Sequence, residues 1–201
     1  MKNKTVTLTE TAVLIAIILL MAFTSIGYLR IGPLSLSLIT IPVAVGAVII
    51  SPAAGALLGL VFGITSFIQC FTGDPFGAAL LTINPFLTFL VCIPTRTLAG
   101  FLSGLLFRGI RKKLHAPAYY IGSFAMAFLN TAFFMTVLVL CFWNAPVVQT
   151  WSQSLGVLNP LVFILASVSV NAVIEWAATA VIGGSVGLAL SKAFGRRETL
   201  K

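Results

Sequence analysis

Seven polar side chains of kinds that hold small molecules stand within or at the ends of apolar stretches of this chain. Arg96 lies inside "CIPTRTLAG", Asn130 midway along another apolar run, and Asn171 and Glu175 in a third. Being four residues apart, Asn171 and Glu175 share one face of a helix, with Ser167 one turn away. Gln69 and Asn84 mark the ends of apolar runs, and Glu10 the start of one. A guanidinium fork grips a carboxylate or a phosphate through two parallel hydrogen bonds, while Asn side chains suit hydroxyls and amides. Arg96 and Glu175 could form an ion pair that fixes helix register, or both could line a polar pocket that a ligand completes. The two arrangements are compatible. Glu10, near a helix start, suits the positive end of the helix dipole.

Other chemistry has no residues to carry it. No glycine-rich phosphate loop, HExxH or aspartate-rich cluster occurs, and the chain has only four acidic residues. The sequence therefore points away from an enzyme. His115 is the single histidine, and Cys70, Cys92 and Cys141 sit in apolar segments without a CxxC, so neither a metal site nor a cofactor is expected. Glu175 alone could carry a proton, which keeps an ion-coupled carrier in view.

The elements that must position these groups are set by composition. Of 201 residues, 59% are hydrophobic and 8% charged, and the mean hydropathy is +1.12. Soluble domains carry roughly 25% charged residues. Too little polar surface remains for water, so the chain reads as an integral, multi-pass membrane protein with one domain over residues 1–201. The net charge of +8 falls mainly in three clusters: Lys2 and Lys4; Arg108, Arg111, Lys112 and Lys113; and Lys192, Arg196, Arg197 and Lys201. Each flanks an apolar run, as cytoplasmic loops do, so nucleic acid is not the expected partner; the lipid bilayer is. The uncharged first run is long for a signal peptide and reads as a retained helix.

Six segments are expected to span: about 8–28, 36–50, 53–71, 85–107, 118–143 and 159–190. An all-α bundle of six transmembrane helices with both termini cytoplasmic accounts for all three basic clusters. The outer loops are then 29–35, 72–83 and 144–158. Aromatic residues near that side, Phe67, Phe71, Phe76, Phe86, Trp143 and Trp151, suit a lipid-interface belt or the wall of a pocket. Gly55, Gly59 and Gly63 stack on one helix face, as do Gly100 and Gly104; Ala12 and Ala16 repeat the spacing in the first helix. Such faces either pack within the bundle or meet another protein.

The stretch "YLRIGPLSLSLITIPV" alternates like a strand. An unpaired strand at membrane depth leaves backbone groups unsatisfied. The expected form is therefore an outer turn broken at Gly32-Pro33, with Arg30 near water, followed by a helix starting near Leu36 on which Ser37 and Thr40 lie close together. Arg30, Gly32 and Pro33 are then a lid or rim over a pocket.

Three stretches carry a resemblance to a known family: "TxTAVLIAI", then "IGPLSLSLITIPVAVGAVIISPAAGALLGLVFGITSFIQCF", then "INPFLTFLVCIPTRTLAG". They resemble the substrate-binding S-components of energy-coupling factor (ECF) vitamin transporters, most closely the pantothenate-specific branch. The resemblance covers most of the chain. It implies a membrane subunit of the bacterial plasma membrane that binds a water-soluble vitamin from outside. It also implies partnership with a transmembrane T-component and two cytoplasmic ATPases, and toppling in the membrane to release cargo inward. The family's AxxxA face, which meets the T-component, is matched by Ala12 and Ala16, and the segment between the first two helices caps the site.

For pantothenate, Arg96 would take the carboxylate, and Asn130 and Asn171 the amide and hydroxyls, with Glu175, Gln69 and Asn84 completing the candidate set. Glu175 fits least easily, because an ionised acid repels an anionic ligand unless Arg96 offsets it. A different vitamin, or a stand-alone carrier for a small organic anion, are the alternatives.

Overall fold

Among the described residues, proline opens six of the helices, and in four of them the residue before it caps the helix start. The computed structural model describes residues 4–24, 27–30, 35–167 and 170–193, with backbone alone at 28–30, 35, 36, 170 and 171. Helix α1 spans Lys4–Ala22, α2 Thr40–Ile49, α3 Pro52–Thr72, α4 Pro75–Ile83 and α5 Pro85–Leu114. Then come α6 Pro117–Phe142, α7 Pro146–Ser154, α8 Pro160–Ser167 and α9 Val170–Ala178, a π-helical turn Thr179–Gly183, and α10 Gly184–Ala193. Proline at the first helical position forfeits an N–H that would be unbonded anyway. Ser51, Asp74, Asn84 and Asn159 each precede such a proline and accept a hydrogen bond from a backbone N–H just inside the helix.

Among the described residues, five helical stretches are long and apolar enough to cross a bilayer: Lys4–Ala22, Pro52–Thr72, Pro85–Leu114, Pro117–Phe142 and Ala172–Ala193. The second expected span is different. Helix α2 has ten residues, which at 1.5 Å per residue reaches only about 15 Å, half of a hydrocarbon core. Two expected loops are helical: residues 72–83 hold α4, and 144–158 hold α7. The basic loop expected at 108–117 is mostly the last turns of α5, and only His115 and Ala116 join it to α6. Three basic residues in the final turn, Arg111, Lys112 and Lys113, suit the negative end of the α5 dipole.

The stretch after α1 corrects the sequence reading. Tyr28–Arg30 (β1) and Ser35–Ser37 (β2) pair antiparallel, with Tyr28 opposite Ser37, Leu29 opposite Leu36 and Arg30 opposite Ser35. Helix α2 begins at Thr40, not near Leu36. A lone strand leaves its backbone unsatisfied; the chain meets that demand by folding back on itself. The lid residues Gly32 and Pro33 lie outside the described residues, and Arg30 sits at the end of β1.

The core is built on close backbone approach. A Cβ on Gly55 would lie 2.4 Å from the Gly100 carbonyl oxygen, one on Gly59 2.3 Å from that of Arg96, and one on Gly63 2.8 Å from the Ile93 Cα. Gly100 and Gly104 return the approach, against Gly55 and Pro52. The glycine faces of α3 and α5 are thus spent on each other, antiparallel, inside the bundle. By contrast Ala12 and Ala16 of α1 are exposed, and that helix buries little beyond Ile18 and Ala22.

Candidate substrate-binding site

Three ionisable or amide side chains meet in the middle of the bundle, each from a different helix. Arg96 of α5, Asn130 of α6 and Glu175 of α9 are 8%, 7% and 6% exposed. Burial to this degree in an apolar bundle is costly, which makes the three residues candidates for a functional site.

The α5 backbone is disturbed where Arg96 emerges. Pro94 sits inside the helix, removing an N–H from its ladder. Side chains crowd the neighbouring carbonyls: Thr95 Oγ1 donates to the Val91 carbonyl, Thr97 Oγ1 to that of Ile93 at 2.9 Å, and Arg96 Nη1 to that of Cys92 at 2.9 Å. The guanidinium is clasped by two rings, its Cζ lying 4.7 Å from the Phe62 centroid on α3 and 5.3 Å from that of Phe134 on α6. Arg96 Nε is buried and has no hydrogen-bond partner. The fork is therefore oriented by its surroundings, with a donor left over.

Glu175 is held from the other side. Its Oε2 accepts the backbone N–H of Ser37 at 3.1 Å. A turn along, Thr179 Oγ1 in the π-helical stretch and Thr40 Oγ1 at the start of α2 share a hydrogen bond of 2.8 Å. These bonds fasten the β-hairpin and α2 to α9 and the π-helical turn. The Asn130 amide and the Arg96 guanidinium both lie near enough to act on the carboxylate. Among the described residues, Arg96 and Glu175 nevertheless form no direct ion pair: the guanidinium bonds carbonyls, and the carboxylate bonds Ser37. Glu175 Oε1, Asn130 Oδ1, Ser37 Oγ and Ser167 Oγ are buried without partners.

The remaining candidates stand apart from this cluster. Gln69 Nε2 donates to the Ala22 carbonyl and so ties the end of α1 to α3. Asn84 Oδ1 accepts from the Phe86 and Leu87 N–H groups at 3.0 and 3.1 Å, capping α5. The side chain of Asn171 lies outside the described residues. Of the aromatics read as a belt or a wall, Phe76, Trp151 and Trp143 join Phe163 of α8 in a chain of edge-to-face contacts that links α4, α7 and the residue capping α6. Phe71 and Phe86 are exposed. The rings that meet Arg96 are Phe62 and Phe134, which no sequence signal separates from other apolar helix positions. The Ser37 N–H was also unforeseeable, because it depends on the hairpin.

A bundle of long apolar helices around buried, partly unbonded polar groups defines a multi-pass membrane protein with an internal polar site. The chain belongs to the family described as ECF transporter, substrate-specific component, whose model matches residues 6–183. It is thus the substrate-specific membrane subunit of an ECF transporter and not itself a catalytic one. No individual curated protein matches the chain.

Proposed function

We propose that this subunit captures a water-soluble vitamin carrying a carboxylate, with pantothenate the best fit, and delivers it through a T-component driven by two cytoplasmic ATPases. The observation that carries this reading is the Arg96 guanidinium, clasped by Phe62 and Phe134 and keeping a buried Nε–H unbonded. A preoriented guanidinium of this kind suits a carboxylate. Asn130 supplies an amide beside it for the hydroxyl or amide groups of the ligand. The segment between α1 and α2 caps the site, with Arg30, Gly32 and Pro33 as its lid or rim residues. In this reading the termini and the basic end of α5 face the cytoplasm, and the exposed Ala12–Ala16 face of α1 docks on the T-component.

The test is uptake of radiolabelled pantothenate into vesicles holding this chain with its T-component and ATPases. Uptake that requires ATP and intact ATPases supports the proposal. Uptake by this chain alone, following an ion gradient, would favour the stand-alone carrier instead. No binding of pantothenate, with another carboxylate vitamin bound in its place, would redirect the substrate and leave the role of the subunit intact.

A further inference from the structure

We infer that Glu175 reads hydroxyl groups of the ligand, so that the substrate is a hydroxy-carboxylate lying with its carboxylate at Arg96 and its hydroxyl end against α9, under the hairpin. This rests on the ligand-capturing role proposed above and adds a substrate class and an orientation to it.

The site holds two kinds of unsatisfied group in two places. On α5 the surplus is a donor, Arg96 Nε–H. Toward α9 and the hairpin the surplus is on oxygens: Glu175 Oε1, Asn130 Oδ1 and the Ser37 hydroxyl. Glu175 Oε2 accepts the Ser37 N–H, while Oε1 makes no hydrogen bond, with the Asn130 amide near enough to act on the carboxylate. An ionised carboxylate oxygen accepts and does not donate, and an amide oxygen likewise accepts. A ligand complementary to Glu175 Oε1 and Asn130 Oδ1 must bring O–H or N–H donors; the Ser37 hydroxyl can donate as well as accept, which suits a ligand hydroxyl that does both.

Charge narrows the choice to neutral donors. Arg96 lies within electrostatic reach of Glu175, so an ammonium placed on the acid would also face the guanidinium. Hydroxyls satisfy the acceptors without adding charge. This removes the difficulty that Glu175 poses for an anionic ligand, because the acid meets the neutral end of the molecule and Arg96 the anionic end.

The experiment measures binding to the purified full-length chain in detergent, using pantothenate and its dideoxy analogue, which keeps the carboxylate and lacks both hydroxyls. Wild-type protein should bind the analogue at least about tenfold more weakly. Glu175→Gln keeps an acceptor for the Ser37 N–H while removing the charge. It should weaken pantothenate about tenfold and change the analogue less than about twofold. Equal binding of both molecules to wild type overturns the inference, and that comparison needs no variant. So does an equal loss for both on Glu175→Gln. If wild type binds no pantothenate, the vitamin assignment falls. The inference is then judged on whatever molecule native mass spectrometry finds bound: a hydroxy-carboxylate upholds it, and a ligand without hydroxyls overturns it.

Discussion

Arg96 concentrates the chemistry of the proposed site in one side chain. It is buried, stacked between Phe62 and Phe134, anchored on the Cys92 carbonyl and left with an unbonded Nε–H. Replacing it by Ala should weaken binding of a carboxylate ligand by about 2–3 kcal/mol, roughly 30- to 150-fold. Arg96→Lys should recover only part of that, since an ammonium lacks the planar fork and its stacking. Isothermal titration on both variants checks this, and unchanged affinity in Arg96→Ala would remove the carboxylate assignment. Arg96, Asn130 and Glu175 were legible in the sequence because a charge or amide amid apolar residues needs a reason. What each one bonds was not legible. The ion pair weighed for Arg96 and Glu175 is absent among the described residues because nearer partners, backbone carbonyls and the Ser37 N–H, take up the hydrogen bonds.

Among the elements, the α3–α5 contact fixes the site. Gly59 lies where a Cβ would strike the carbonyl of Arg96 itself, so the depth of that glycine seam sets where the guanidinium emerges. Gly59→Ala should cost about 1–3 kcal/mol through overpacking and should weaken ligand binding as α5 shifts. Gly109 on the same helix has nothing within 4 Å of a built Cβ. Gly109→Ala should therefore be neutral or stabilise by about 0.5–1 kcal/mol, the helix preference for alanine. Thermal unfolding of the two variants in detergent separates them, and equal melting temperatures would show that the seam is looser than described. The spacing of four predicted a close-packing face; it could not say whether the partner lay inside the chain or outside it. The hairpin is hidden from the sequence for a related reason. A strand's legitimacy at membrane depth depends on its partners, and these are the returning strand and the Glu175 carboxylate, 138 residues away in sequence.

On the scale of the whole molecule, two small-residue faces have opposite fates. The glycines of α3 are buried against α5, whereas Ala12 and Ala16 remain on an exposed face of α1. Replacing both alanines by Trp should block co-purification with the T-component and abolish transport, while vitamin binding by the isolated chain stays within about twofold of wild type. Retained complex formation would rule that face out as the docking surface. Membrane residence, the long apolar helices and the helix starts at the two Asn-Pro pairs were legible in the sequence alone, because solvent preference and capping act over a few residues. Only the tertiary structure decided that α2 is a half-length helix behind a hairpin, that the last helical stretch is interrupted by a π-helical turn, and that Glu175 fastens the hairpin while keeping one oxygen free. Each of those depends on which distant group arrives to satisfy a polar atom, and apolar periodicity carries no record of that.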